Sequence, residues 1–361
     1  MVVEAKIEPQ VNPSESQVKQ ILRRFEHAKM IKDQWNSTFE ECYEYALPQR
    51  ESFYQEQAGR RRTDRIFDET AVVGVQEFAS RLQSGIVPNY ARWADFVAGT
   101  EVPPEARKDV NSMLDEVTEY VFEILQNSNF SQEIHESFLD IALGTGILLV
   151  EEGDAVNPIS FKSIPLPHVY MTSGHDDKID YIFRKRRIRA KEMAIAYPNG
   201  EMSEKMMMDF EKNPDKECEI IETVYRNYSN TKEEQYHFCA VSKEHEFKIY
   251  EEEYKGLGSN PYLVYRWSKC AGETYGRGPL MLALPAIKTA NLTVELILEN
   301  AQMSIAGMFQ VEDDGVINTD NIQLIPGTII PKAPGSSGLQ PIQAPGNFNA
   351  VSYTHLRAHE T

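Results

Sequence analysis

The feature that most constrains this chain is the run 280–305, which is apolar around most of a helical circumference. From Leu280 the pattern is helical, with Ile287, Ala290, Val294, Ile297, Ala301 and Ile305 on one stripe and Leu292, Leu296 and Met303 on a second. Lys288, Glu295, Glu299 and Gln302 form a single narrow polar stripe. Such a helix must be covered on two sides. Either it is the core helix of a monomer, or it stands in a closed ring with an identical neighbour on each side. In a ring the polar stripe is left to a water-filled channel or to the exterior. Pro285 is expected in the first turn, where its missing N–H costs nothing.

The launch of this helix has its own pattern. A strand-like Tyr262-Leu263-Val264-Tyr265-Arg266-Trp267 leads into Gly272-Glu273-Thr274-Tyr275-Gly276-Arg277-Gly278-Pro279. The glycines beside Arg277 let the backbone take a positive φ or approach another chain closely, and Pro279 fixes the exit. An ordinary glycine-rich turn accounts for the same residues.

Composition narrows the class. A chain of 361 residues with 41% hydrophobic side chains can build two or three cores. The longest nearly uninterrupted apolar run, 141–150, is too short to cross a bilayer, and no membrane partner is expected. Met1-Val2-Val3-Glu4-Ala5 lacks the charged-then-apolar layout of a signal peptide. Cys42, Cys218, Cys239 and Cys270 are scattered without metal-ligand spacing, so they read as free thiols, and no metal or other cofactor is expected. A net charge of −18 argues against gripping duplex DNA, because tight binding needs Lys and Arg to displace counterions. It is compatible with letting DNA slide.

Along the chain, residues 1–15 read as a flexible arm. Helices are expected at 16–47, 69–83, 104–127 and 131–143, with Asp68 capping the second and Gly85 stopping it. Ser131, Glu133 and Glu136 suit the start of the fourth. Gly144-Thr145-Gly146 breaks that helix before a strand at 147–151. It is no phosphate loop, since the order is helix to strand and the closing Lys is missing. Short alternating runs at 179–188, 219–227, 235–241 and 246–251 predict a β-rich region, interrupted by helices near 190–197 and 202–210. The bases Arg60-Arg61-Arg62 with Arg65 read as a loop or subunit contact, and Lys185-Arg186-Arg187 with Arg189 as a solvated strand face, with contact to DNA the sharper alternative for both. Further strands are expected at 308–311 and 322–330.

Several of these segments resemble the podovirus-type bacteriophage head-to-tail connecting (portal) proteins. They are the 262–314 segment, Ser84-Gly85-Ile86-Val87-Pro88 with Trp93 and Phe96, the helix–Gly-Thr-Gly–strand of 138–152, and Ile164-Pro165-Leu166-Pro167-His168-Val169-Tyr170 with Asp180-Tyr181-Ile182-Phe183-Arg184-Lys185. The resemblance implies an α+β portal fold: a wing with a helical part at 16–146 and a β-rich part at 147–279, a stem helix at 280–306, and a small, partial clip at 307–350. The implied protein is a virion component that assembles in the bacterial cytoplasm as a homododecameric ring at one capsid vertex. Its implied partners are terminase, tail or adaptor proteins, capsid and scaffolding proteins, and passing double-stranded DNA. No active site is implied. Glu295 and Glu299 are candidates to face the channel, and Tyr275, Arg277, Leu292, Leu296 and Met303 are candidates for the subunit interface. The stretch 352–361 resembles translated sequencing-adapter read-through and is set aside from fold reasoning, so a returning stem helix and a crown are expected to be missing.

Two other readings come from different classes. A metal-dependent nuclease would use Asp215 with Glu246 and Lys248, the carboxylates holding Mg²⁺ and the lysine assisting water. The acidic groups Glu151-Glu152-Asp154 and Asp176-Asp177-Asp180 could hold a hard cation but also suit solvated turns. A scaffold or adaptor would keep the helical face and need no ring.

Overall fold

The computed structural model describes residues 17–50, 63–174, 177–228 and 234–302, together with the backbone of 303–306, 308–310 and 340–342. They form two compact units, one containing the described residues of 1–65 and 69–284, the other those of 66–68 and 285–361. Both helices and antiparallel sheets are present, giving an α+β chain. The expected strand at 322–330, the loop Arg60-Arg61-Arg62 and the stretch 352–361 lie outside the described residues.

The first unit begins with α1 (Gln17–Ala46), which buries Ile21, Phe25, Ala28, Phe39, Cys42, Tyr43 and Ala46 at helical spacing. Each large apolar side chain removed from water this way contributes roughly 1.5–3 kcal/mol. Lys32 is buried on the same face. Its Nζ donates to the carbonyls of Leu166 and Pro167, both at 2.7 Å, and lies 4.1 Å from the centre of the Tyr170 ring. Loss of water drives its pKa well below the usual lysine value.

The second helix, α2 (Thr70–Ile86), departs from expectation at both ends. Glu69, not Asp68, holds the N-cap position, without a side-chain cap bond. Gly85 does not stop it. The helix continues until Pro88 forces Val87 out of the α region, at φ −132°. Next come α3 (Arg107–Asn127) and α4 (Phe130–Ile141). Asn129 precedes α4 but does not cap it, because its amide is spent on Phe161, accepting from its N–H at 2.9 Å and donating to its carbonyl at 2.7 Å. Glu133, in the first turn, accepts from the Ser163 N–H at 2.6 Å. These bonds tie α4 to the sheet it covers.

That sheet has the order β2-β1-β8, all antiparallel, from β1 (Thr145–Glu152), β2 (Ile159–Ser163) and β8 (Tyr262–Arg266). A five-stranded antiparallel meander lies between β2 and β8 in sequence: β3 (Val169–Ser173), β4 (Ile179–Arg189), β5 (Glu217–Arg226), β6 (Gln235–Ser242) and β7 (Phe247–Lys255). Alternation along the strands gives the meander two apolar faces. Phe183, Ile221, Cys239 and Val241 pack on Ile21, Phe25 and Ala28 of α1. Ile188, Cys218, Ile220, Ala240 and Ile249 pack on α5 (Met193–Ala196) and α6 (Glu204–Lys212), through Met193 and Met206. Residues 190–197 give a 3₁₀ turn and one α turn rather than a full helix.

The last helix among the described residues is α7 (Pro279–Ala306). Pro279 occupies its start and Pro285 lies in its interior, not in the first turn as expected. The second unit begins at Pro285, and there Asn291 is buried, its Oδ1 accepting from the N–H groups of Phe67 and Asp68 at 2.7 and 3.1 Å. This unit also contains β9 (Met308–Gln310) paired antiparallel with β10 (Gln340–Ile342); the second of these strands has no counterpart in the sequence reading.

Candidate functional site

The start of α7 is built from two glycine turns pressed backbone to backbone. A Cβ on Gly276 would lie 2.2 Å from the Gly144 carbonyl oxygen, and one on Gly144 would lie 2.2 Å from that of Gly276. Gly278 is as tight, at 2.1 Å from the Ala142 oxygen. Absence of side chains lets the main chains bond directly. Gly278 N–H donates to Leu143 at 2.7 Å, Leu280 N–H to Ala142 at 3.0 Å, and Trp267 N–H to Gly144 at 2.9 Å. The Thr145 hydroxyl accepts from Gly276 N–H at 2.9 Å. The close approach foreseen for Gly276 and Gly278 is therefore made to this chain's own 142–145 turn. Positive φ is taken by Gly144 and Gly272 instead, at +136° and +78°.

Tyr275 is fully buried, which corrects its expected place at a subunit interface. Its ring packs on Trp35 and Phe39 of α1, and its hydroxyl accepts from the Met171 N–H at 3.2 Å. Burial holds its pKa well above the usual tyrosine value. Arg277 stays half-exposed. It makes two hydrogen bonds to Glu273, at 2.9 and 2.6 Å, and its guanidinium lies 5.0 Å from the Trp35 ring centre. Those hydrogen bonds hold the Glu273 carboxyl below its usual range. Arg277, Glu273, Trp35, Thr274, Met281 and Leu282 help line an open groove of about 530 Å³. Periodicity located Trp35 on a helix but gave no sign that it would meet Arg277.

Farther along α7, Leu292, Leu296 and Leu298 are 53%, 55% and 47% exposed, and Leu282 is 81% exposed. Glu299 is exposed and Glu295 half-buried. The side chain of Met303 lies outside the described residues. Pro279–Gln302 is long and apolar enough to cross a membrane by length and composition, and most of it is not buried, whereas the expectation from the sequence weighed only the shorter run 141–150 against a bilayer.

The nuclease residues are engaged elsewhere. Asp215 pairs with Lys191 at 2.6 Å, Lys248 pairs with Glu251, and Glu246 sits in a tight turn at φ +48°. Asp154 accepts from the N–H groups of Val156 and Asn157, as a turn residue does. The strand bases are largely neutralised within the sheet: Arg184 and Arg186 both face buried Glu222, at 3.5 and 2.6 Å, and Lys185 faces Glu219 at 2.8 Å. Arg65 pairs with Glu44 at 2.9 Å. Asp209, Glu244 and His245 lie close enough to share a cation, but the Lys216 ammonium already bridges the two carboxylates at 2.9 and 2.6 Å.

Residues 18–359 match the family model described as bacteriophage head to tail connecting protein, a match that runs into the stretch set aside at 352–361. The sequence is 21% identical over 281 residues to the probable portal protein of Bordetella phage BPP-1, covering 75% of this chain and 50% of that protein. The chain thus spans about half the length of that curated relative. With the family model matching most of its residues, this chain belongs to the bacteriophage head to tail connecting proteins, a family of structural virion components.

Proposed function

We propose that this chain is a portal subunit. Identical copies close a ring, twelve by family resemblance, at one capsid vertex, and genomic DNA passes through it during packaging and ejection. Terminase and later tail or adaptor proteins dock on the ring. The observation that supports this reading best is the leucine surface of α7 in a member of this family: Leu282, Leu292, Leu296 and Leu298 remain exposed on one long helix. A heterologous contact between copies would cover such a surface, and a rotation that closes makes a ring. Covering what remains exposed of Leu292, Leu296 and Leu298 would contribute roughly 1 kcal/mol each, about half the value for full burial. Glu295 and Glu299 are assigned to the channel wall, where carboxylates repel phosphate and keep contact weak.

The same helix meets the length and composition of a membrane span. Protein neighbours account for it better than lipid. Lys288 near the middle of a bilayer would cost about 2.5–3.5 kcal/mol, and Asn291 is already committed to the backbone of 67–68.

The test uses the complete gene product, followed by mass photometry and negative-stain imaging. Cyclic particles with a central hole are expected for the wild type. Leu292→Glu with Leu296→Glu should leave monomers with an unchanged melting temperature. A wild type that stays solitary at all accessible concentrations would overturn the ring, and Mg²⁺-dependent DNA cleavage by such a monomer would favour the nuclease.

A further inference from the structure

Helix α3 is 21 residues long, yet only Thr118 and Phe122 are buried. Its inward face is occupied by the extended segment before it. Asp115 pairs with Arg92 at 2.7 Å, Thr118 accepts from Phe96 N–H at 3.2 Å, Asn111 accepts from Ala98 N–H at 2.8 Å, and Phe122 packs edge-on against Trp93 with ring centres 5.3 Å apart. The opposite face carries an apolar ridge, Met113, Val117 and Tyr120, exposed by 69%, 48% and 64%. Exposed Glu116 and Glu123 run beside it at helical spacing. Residues 88–127 carry eight carboxylates against three Arg and Lys side chains.

The first half of α1 has the opposite character. Residues 17–31 contain four Lys and Arg side chains against one carboxylate. Lys19, Arg23 and Met30 share the face turned away from Ile21, Phe25 and Ala28; all three are exposed, Met30 by 60%. One chain thus displays an acidic helix with an apolar ridge and a basic helix with an exposed methionine. Two unlike complementary patches on one chain define a heterologous contact.

We propose that the outward face of α3 docks on the basic face of α1 of a second copy, with Glu116 and Glu123 meeting Lys19 and Arg23, and Met113, Val117 and Tyr120 covering Met30. This rests on the ring reading above and names a contact apart from α7. A nucleic acid or an anionic lipid surface is a poor occupant of the α3 face, because its carboxylates repel phosphate.

Charge reversal in the complete gene product tests the pairing. Glu116→Lys with Glu123→Lys makes both faces basic, and Lys19→Glu with Arg23→Glu makes both acidic. Each variant alone should assemble at least about tenfold more weakly in mass photometry, the scale expected when close opposite charges become like ones. An equimolar mixture should recover assembly with the two variants in a 1:1 ratio by native mass spectrometry, which also shows that both fold. Wild-type-like assembly of either variant, or a mixture that fails to recover, overturns the pairing alone. A wild type that never assembles overturns the ring reading along with it.

Discussion

At the scale of single residues, the launch of α7 separates two reasons for having glycine. Gly276 is there for want of space, so Gly276→Ala must push apart main chains that hydrogen-bond across the contact. A loss of about 3 kcal/mol, the upper end for overpacking, is expected in urea unfolding. Gly272→Ala meets open space and only the strain of φ +78°, for about 1 kcal/mol. Equal losses would refute the distinction. Asp140 provides a pH test. Its carboxyl accepts from the Tyr43 hydroxyl at 2.7 Å and lies 3.7 Å from Arg50, but burial dominates and raises its pKa from 3.8 to about 6. The folded chain therefore holds this proton more tightly than the unfolded one. Its contribution is fully present below pH 3.8 and is lost as the pH rises through about 6, a change of about 3 kcal/mol. Asp140→Asn should lack that decline when unfolding is followed from pH 4 to 8; a parallel decline would remove Asp140 as its source.

At the scale of elements, Pro285 stands inside α7, where it can give no hydrogen bond to the carbonyl four residues earlier. Pro285→Ala should stabilise the helix by about 3 kcal/mol, seen as a higher melting temperature by circular dichroism. No gain would mean that the proline's geometry is used. Most elements were legible in the sequence because their periodicity is local: α1, α3 and strands β4 to β7 of the meander lie close to where apolar spacing puts them. What escaped depended on contacts remote in sequence. Nothing near Tyr275 announces that Trp35 and Phe39 enclose it, and nothing near Lys32 announces two carbonyls at 166 and 167. The C-terminal end of α2 was misplaced for a local reason, since Gly85 weakens a helix without ending it, whereas Pro88 does end it. Glycine spacing marked the α7 launch, but the partner turn at 144 was recognisable only as a helix break.

At the scale of the whole molecule, in the ring proposed above, a net charge of −18 and the carboxylates of α7 would favour passage over capture of DNA. Glu295→Lys with Glu299→Lys should leave ring formation intact and reduce packaged DNA per particle, because added bases would hold the phosphates. Unchanged packaging would remove both from the channel wall. The root of α7 has a mechanical consequence of its own. Its main-chain bonds to Ala142 and Leu143, with the Gly276 N–H bond to the Thr145 hydroxyl, lie close together, so a tug on the first turn loads them in concert instead of peeling them one by one. Strength at that anchor comes from the peptide backbone, and it would survive replacement of the Arg277 side chain while failing on the addition of a single methyl group at Gly276.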